Sequence, residues 1–265
     1  RNAPEALRAM TAPYDALAAG YDAVMAHVDY DAWAAYVHCL LQWHGTDVRT
    51  VLELAGGTGA LAMRLQPKGP YRYTLTDGAT AMLQQAARKV AAAGPPIRCR
   101  RVRFEALTPR TAGPDAPFDA VVLVYDGLNY LLQTDAVAEL LQRIHDVLRP
   151  GGVCIFDHTT PANSEAHADA FADEGTVEGF AYVRESRYDP TTQRHVTTFT
   201  LSLNGAPAHE THVQRVYAPF TIETLLDASP LRVVAAYDGR TDAPARADSH
   251  RVHWVVQRPA SRSAG

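Results

Sequence analysis

Glu53, Gly56, Gly57, Gly59 and Asp77 are the residues of this chain whose types and spacing suit a chemical task. The glycines lie in VLELAGGTGALAMRL, residues 51 to 65, where an apolar run gives way to small residues and then to a helical pattern. Glycine takes positive φ without a steric penalty and lets another molecule come close to the backbone. A strand, a glycine turn and a helix in that order make a nucleotide-binding corner. Asp77 closes the next strand candidate, 18 residues after Gly59, where a carboxylate can accept hydrogen bonds from ribose hydroxyls. Gly57-Thr58-Gly59-Ala60-Leu61-Ala62 fits G-x-G-x-x-A, so the glycines alone leave a dinucleotide reading open.

Glu53 narrows the choice. A carboxylate inside a strand is costly to bury unless it orders the glycine loop or answers a cation. A nicotinamide nucleotide does not need it there, whereas the ammonium of a sulfonium amino acid has the matching charge.

These residues need a scaffold. From Thr50 onward, strand candidates at 50–55, 72–76, 98–104, 119–124 and 152–157 alternate with helical patterns at 59–65, 79–92 and 134–148. The last pattern puts Val137, Leu140, Leu141, Ile144 and Leu148 on one face and stops at Arg149-Pro150-Gly151-Gly152. Such alternation predicts a parallel sheet covered by helices on both faces. Ahead of it, residues 14 to 43 space their apolar side chains by three or four and predict one or two amphipathic helices. After about 160 the period changes to two. Three strands of an antiparallel meander are expected at 180–188, 195–203 and 209–217, with Asn204-Gly205 as a hairpin turn. A helix at 220–228 and strands at 231–237 and 251–256 complete the chain. The expected organisation is a helical cap over 1–44, an α/β core over 45–160, the antiparallel insert over 161–219, completion of the core over 220–258 and a frayed tail over 259–265.

Composition bounds the rest. The chain has 265 residues, 47% of them hydrophobic, enough for one large core with a smaller attached lobe. A net charge of −4 supplies no positive field for nucleic acid. No apolar stretch approaches the ~18 residues of a membrane span, and the start lacks a signal-peptide layout, so a cytoplasmic protein is expected. Cys39, Cys99 and Cys154 are read as buried, reduced thiols.

Three features come together at this point. The loop reads E-L-A-G-G-T-G, FDAVVLVYDGLNYLL follows at 118–132, and LRPGGVCIFD follows a further helix at 148–157. With YDALAAGYDAVM at 14–25, then Tyr30 and Trp33, the chain resembles class I S-adenosylmethionine-dependent methyltransferases of the small-molecule type that begin YD-x-x-A-x-x-YD. The resemblance implies a Rossmann-like, seven-stranded, mostly parallel sheet with its last strand antiparallel, flanked by helices. It also implies S-adenosyl-L-methionine as cofactor. By matched position, Glu53 with Ala55, Gly56, Gly57 and Gly59 would hold the amino-acid end, and Asp77 the ribose diol. Met82 would pack on adenine, and Glu105 and Ala106 would meet its edge. Tyr125 and Asp126 would stand beside the reacting methyl, with Tyr21 and Trp33 closing over the cofactor. Ala55 replaces the first glycine of the loop and is expected to need only an ordinary φ.

The reaction implied is in-line methyl transfer to an amine or hydroxyl of a small molecule. His158, at the carboxyl end of its strand, and Tyr125 are the candidate catalytic side chains. Asn129, His158, Arg215 and Tyr217 are the candidate substrate contacts. The meander would serve as substrate lid or as a homodimer contact. No metal is expected, because His209 and His212, like His250 and His253, are three apart in strands and so point to opposite faces. An RNA or protein methyltransferase, a nicotinamide-dependent reductase and a non-catalytic cofactor binder stay open as alternatives.

Overall fold

The computed structural model describes residues 12–94, 96–167, 172–177 and 179–260. The extreme ends, where fraying is expected, fall mostly outside that range.

Seven strands form the central sheet: β1 (Thr50–Glu53), β2 (Arg72–Asp77), β3 (Ile97–Arg101), β4 (Phe118–Leu123), β5 (Leu148–Thr159), β10 (Arg232–Asp238) and β11 (Arg251–Gln257). Their spatial order is β10-β11-β5-β4-β1-β2-β3, with β11 antiparallel to both neighbours. Val51 pairs with Tyr73 on one side and Ala120 on the other, which makes β1 the middle of the parallel part. All four β1 residues are buried, as a strand covered on both faces requires. The helices explain that burial. One face packs against α2 (Tyr30–His44), α3 (Ala62–Leu65) and α4 (Thr80–Ala93) through Val37, Leu41, Leu65 and Ala86. The other packs against α5 (Pro109–Ala112), α6 (Thr134–Val147) and α8 (Pro219–Asp227) through Leu140, Ile144 and Leu226. Each such leucine or isoleucine, taken fully from water, contributes about 1.5–3 kcal/mol before the cost of ordering it.

Two expectations shift here. The helix anticipated from residue 59 winds only from Ala62, because Gly57 and Gly59 both take positive φ. Strand β5 begins at Leu148 and runs to Thr159, longer at both ends than anticipated. Pro150 and Gly151 sit inside it at an irregularity where the partner register jumps from Phe118–Leu148 to Ala120–Val153, so the pair breaks the ladder locally without ending the strand.

A second sheet follows α7 (Pro161–Ala166) and has four antiparallel strands: β6 (Ala172–Val177), β7 (Phe180–Asp189), β8 (Arg194–Leu203) and β9 (Ala206–Arg215). The hairpin at Asn204-Gly205 forms as expected, with φ of 49° and 84°, the two positive values of the tight turn matched to strand twist. Strand β6 was not anticipated, since ADEGTV carries no apolar alternation and stays largely exposed. Strand β9 is displaced: it starts at Ala206 and releases Val216 and Tyr217.

The cap, with α1 (Tyr21–Val24) preceding α2, lies against this second sheet. Leu17 and Val24 pack on Phe180, Phe199 and Leu201. The approach is so close that a Cβ at Gly20 would sit 2.2 Å from the Phe180 ring. Of the three cysteines only Cys154 is buried; Cys39 is exposed, on the side of α2 away from the sheet.

Candidate active site

The carboxyl ends of β1, β2 and β4 open into a cleft of about 550 Å³, roofed by the cap. Glu53 is the last residue of β1 and only 3% exposed. The Tyr73 hydroxyl donates to its Oε2 at 2.9 Å, and among the described residues no cation faces it. Burial pushes its carboxyl up to about 8, helped by the nearby Asp77 and opposed by the Tyr73 hydrogen bond. A carboxyl in that condition is a latent partner for a positive group.

Asp77 ends β2 and ties two pieces of backbone together. Its Oδ2 accepts the Gly57 N–H at 2.8 Å and its Oδ1 the Ala79 N–H at 2.7 Å. Burial raises its carboxyl above the usual range while those N–H groups oppose the shift. Each oxygen keeps a lone pair for an incoming donor. The loop has no room for a side chain at Gly56, where a Cβ would lie 2.8 Å from Leu75 Cγ and 3.0 Å from the Glu53 carboxyl carbon. Gly57, at φ +58°, lies beneath the Met82 methyl, to which a Cβ there would approach within 3.2 Å. Ala55 departs from expectation: its φ is +50°, so the position that usually carries glycine is left-handed here too, with an alanine holding it.

Beyond β4 the chain makes two left-handed residues in succession, Tyr125 at φ +68° and Asp126 at +67°. This turn is held from behind. The Arg251 guanidinium grips Asp126 through Nη1 at 2.6 Å and Nη2 at 3.0 Å, and Asp157 at 2.7 Å. The Asp126 N–H in turn donates to Asp157 at 3.1 Å. Tyr125 is thereby aimed into the cleft, its ring edge-on to Trp33 at 5.5 Å between centroids. Arg251 lies over both rings, at 5.5 and 5.6 Å.

Of the expected cofactor residues, Tyr21, Trp33, Glu53, Ala55, Gly56, Gly57, Asp77, Met82, Glu105 and Tyr125 line the cleft. Three do not. Gly59 packs beneath the loop, where a Cβ would meet Leu75 and Ala86 at 3.3 and 3.4 Å. Asp126 is turned toward Arg251, and Ala106 ends a 3-10 turn whose Phe104 and Glu105 face the cleft. The Glu105 side chain is exposed and paired with Arg103 at 3.0 Å.

Of the expected catalytic and substrate residues, Tyr125 lines the cleft and the others lie elsewhere. Because β5 runs on to Thr159, His158 is inside the sheet opposite Val252, fully buried, and not at the rim. It hydrogen-bonds the Thr159 carbonyl at 3.2 Å, and burial pulls its imidazole down to about 4. Asn129 is a brace, donating to the Arg215 carbonyl at 2.8 Å and to that of Thr159, and accepting from the Thr159 N–H at 3.1 Å. Tyr217 donates to the Leu131 carbonyl, and Arg215 to that of Leu132 at 3.3 Å. These contacts pin the 3-10 turn Leu128–Tyr130 to the end of β9 and leave none of the three on the cleft wall.

Conversely, Tyr14, Tyr30, Arg101, Arg103, Phe104 and Tyr130 line the cleft without having been singled out for it. Tyr30 had a signal, lying three residues before Trp33 on one face of α2. Tyr130 had none, because its orientation depends on the brace at Asn129. The assembled wall suits a positively charged amino group beside Glu53, a diol at Asp77 and a flat apolar ring against Met82.

Known proteins resemble this chain in sequence and in fold. The profile of a family described as a methyltransferase domain matches residues 51–152. YqeM of Bacillus subtilis (strain 168), named as a methyltransferase, is 31% identical over 250 residues, 92% of this chain and 97% of YqeM. Among solved structures, an S-adenosylmethionine-dependent methyltransferase from Clostridium acetobutylicum superposes with a TM-score of 0.75 at 21% identity, over 93% of this chain and 99% of that one. The sugar N-methyltransferase KedS8 from Streptoalloteichus sp. gives 0.68 at 20% identity, over 98% and 100%. At such identities the structural likeness establishes the fold.

Proposed function

The chain belongs to the S-adenosylmethionine-dependent methyltransferase family, and from that premise we propose that it methylates a small molecule, on an amine in preference to a hydroxyl. The observation carrying this reading is the pair formed by Glu53 and Asp77 at neighbouring strand ends, one a buried carboxyl facing no cation among the described residues, the other held open toward the cleft by backbone N–H groups. The cleft's size, its missing Cβ atoms and the apolar Met82 fit the cofactor's parts in the order the residues occur.

When bound, S-adenosyl-L-methionine supplies a methyl on positively charged sulfur, already activated toward attack. The residues of this chain supply placement. Glu53 would face the ammonium, Asp77 the ribose hydroxyls, and Met82 with Glu105 the adenine. Tyr125, Trp33 and Tyr21 would cover the methyl-bearing end and exclude water. Alignment of nucleophile and methyl within about 3–3.5 Å is the main source of rate in such a displacement. Tyr14 and Tyr130 form one part of the wall, polar at the tip and apolar along the ring. Such a surface fits a neutral amine or alcohol better than an extended anion. KedS8, which covers 98% of this chain, is a sugar N-methyltransferase, and that favours nitrogen.

Calorimetric titration with S-adenosylhomocysteine, beside NAD and NADP, tests the cofactor assignment. Micromolar binding of the first alone, lost in Asp77→Ala, is the expected result; binding of a nicotinamide nucleotide would overturn it. Transfer of labelled methyl to panels of primary amines and alcohols then tests the acceptor class, and methylation of neither would sink that part.

A further inference from the structure

An acceptor hydroxyl gives up its proton as the methyl arrives, and an amine gives one up once its lone pair has taken the methyl; the groups against the cofactor are poorly suited to take it. Glu53 and Asp77 are already taken up, in the reading above, by the ammonium and the ribose hydroxyls of the cofactor. On the acceptor side, however, a continuous line of hydrogen bonds leaves the cleft. The hydroxyls of Tyr14 and Tyr130 meet on the cleft wall. The Tyr130 hydroxyl lies 3.0 Å from His212 Nδ1, and His212 Nε2 lies 3.1 Å from Glu210 Oε2. His212 and Glu210 are buried on β9, at 4% and 1% exposure. The imidazole is enclosed by Tyr14 of the cap, Tyr130, Phe199 of β8 and its own strand neighbour Glu210.

The direction of this line follows from its far end. Glu210 also accepts the backbone N–H groups of Tyr14, Ala16 and Leu17, and an acceptor of so many donors is a carboxylate. Its Oε2 therefore takes a hydrogen from His212 Nε2. With a neutral imidazole, Nδ1 is then bare and Tyr130 donates to it. Tyr14, itself a residue of the cleft wall, in turn donates to the Tyr130 oxygen and keeps lone pairs with which to accept.

We propose that Tyr14, Tyr130, His212 and Glu210 form a proton relay that carries the acceptor's proton out of the cleft and leaves it on His212. This rests on the amine or hydroxyl reading above. In the step, the acceptor N–H or O–H bond breaks and its proton bonds to the Tyr14 oxygen. The Tyr14 proton passes to the Tyr130 oxygen, and the Tyr130 proton forms the N–H bond at His212 Nδ1. The acceptor's lone pair makes the new bond to methyl, the methyl–sulfur pair stays on sulfur, and the pair left by the departing proton restores the acceptor's lone pair. Both tyrosines end as neutral phenols, and the imidazolium stands against the Glu210 carboxylate. Burial raises both phenols far above their ordinary range, so they pass a proton along and cannot hold the charge themselves. Tyr14 is the member that touches the acceptor; the other three act through it.

The test begins without an acceptor. In protein carrying ¹⁵N-histidine, saturated with S-adenosylhomocysteine at pH 8, His212 should be neutral with its hydrogen on Nε2. Tyr130→Phe, which removes one oxygen, should shift the Nδ1 resonance alone. A hydrogen on Nδ1, a fully charged imidazolium, or an unmoved resonance in Tyr130→Phe each overturns the relay. With ethanolamine, benzylamine and glucosamine as acceptors, His212→Gln should lower kcat by roughly 10²-fold and abolish the solvent deuterium effect, with S-adenosylhomocysteine affinity unchanged. Wild-type kcat in that variant overturns the proposal. If the wild-type enzyme methylates no amine or alcohol, the acceptor reading fails, while the histidine spectrum still decides the relay.

Discussion

The Glu210 carboxylate on β9 accepts the backbone N–H of Tyr14 at 2.7 Å, across 196 residues of chain. With Ala16 and Leu17 donating to the same side chain, one carboxylate of the second sheet clasps the start of the cap over the cleft. Glu210→Ala should strand those buried donors and cost on the order of 2–4 kcal/mol. The checks are a lower unfolding midpoint, faster proteolysis within residues 12–30 and weaker binding of S-adenosylhomocysteine. The same contact sets an acid limit. Burial works against ionisation here, but His212 and the three N–H groups outweigh it and hold the carboxyl below its usual range. Its stabilisation is therefore complete above the unfolded value of about 4.3 and is lost as pH falls through the lower folded value. Glu210→Gln should flatten that part of the stability curve.

Glu53 carries the opposite sign. Its folded value is about 8, above the unfolded range, so between those values the folded state holds the extra proton. Without ligand, stability should fall as pH rises from about 5 to about 8, by on the order of a few kcal/mol. Glu53→Gln should remove that slope in pH-dependent denaturation and weaken S-adenosylhomocysteine binding at least tenfold. A slope that survives the substitution would place its origin elsewhere.

Ala55 sits at φ +50° where a side chain is unwelcome. Ala55→Gly should relieve about 0.5–1 kcal/mol, the left-handed penalty less the greater freedom of glycine in the unfolded chain. Calorimetry should show the unfolding midpoint rising by about 1–2 °C. A fall would mean that the methyl contributes packing that outweighs the strain.

Arg251 is the cation between Asp126 and Asp157. Arg251→Met keeps much of the side-chain volume but leaves two carboxylates facing each other, one of them fully buried. A loss of about 3–5 kcal/mol is expected from denaturant titration. The left-handed Tyr125–Asp126 turn should loosen with it, so cofactor affinity should fall even though Arg251 is no part of the cleft wall.

How much of this was legible depends on how far apart the cooperating residues are in the chain. Glu53, Gly56 and Gly57 follow one another within a single strand-loop-helix unit, and Asp77 closes the adjacent strand, so their spacing predicts their meeting. The hairpin at Asn204-Gly205 is legible for the same reason, since the turn depends on its own φ values. His158 was misplaced because strand length is decided by pairing with β11, which continues to Arg251 opposite Thr159. Strand β6 was invisible because an edge strand with little buried surface carries no apolar alternation. Asp126 was assigned to the cofactor because nothing nearby in sequence reveals Arg251, 125 residues away.

By itself the sequence determined the α/β alternation, the glycine cradle and the acids at the ends of its strands, because these rest on local backbone freedom and on the periodicity of burial. Only the tertiary structure decided that Tyr130 faces the cleft while Asn129 beside it does not, and that β9 delivers Glu210 and His212 to the back of that wall. Those placements come from polar groups that must find partners once buried, wherever in the chain the partners happen to be.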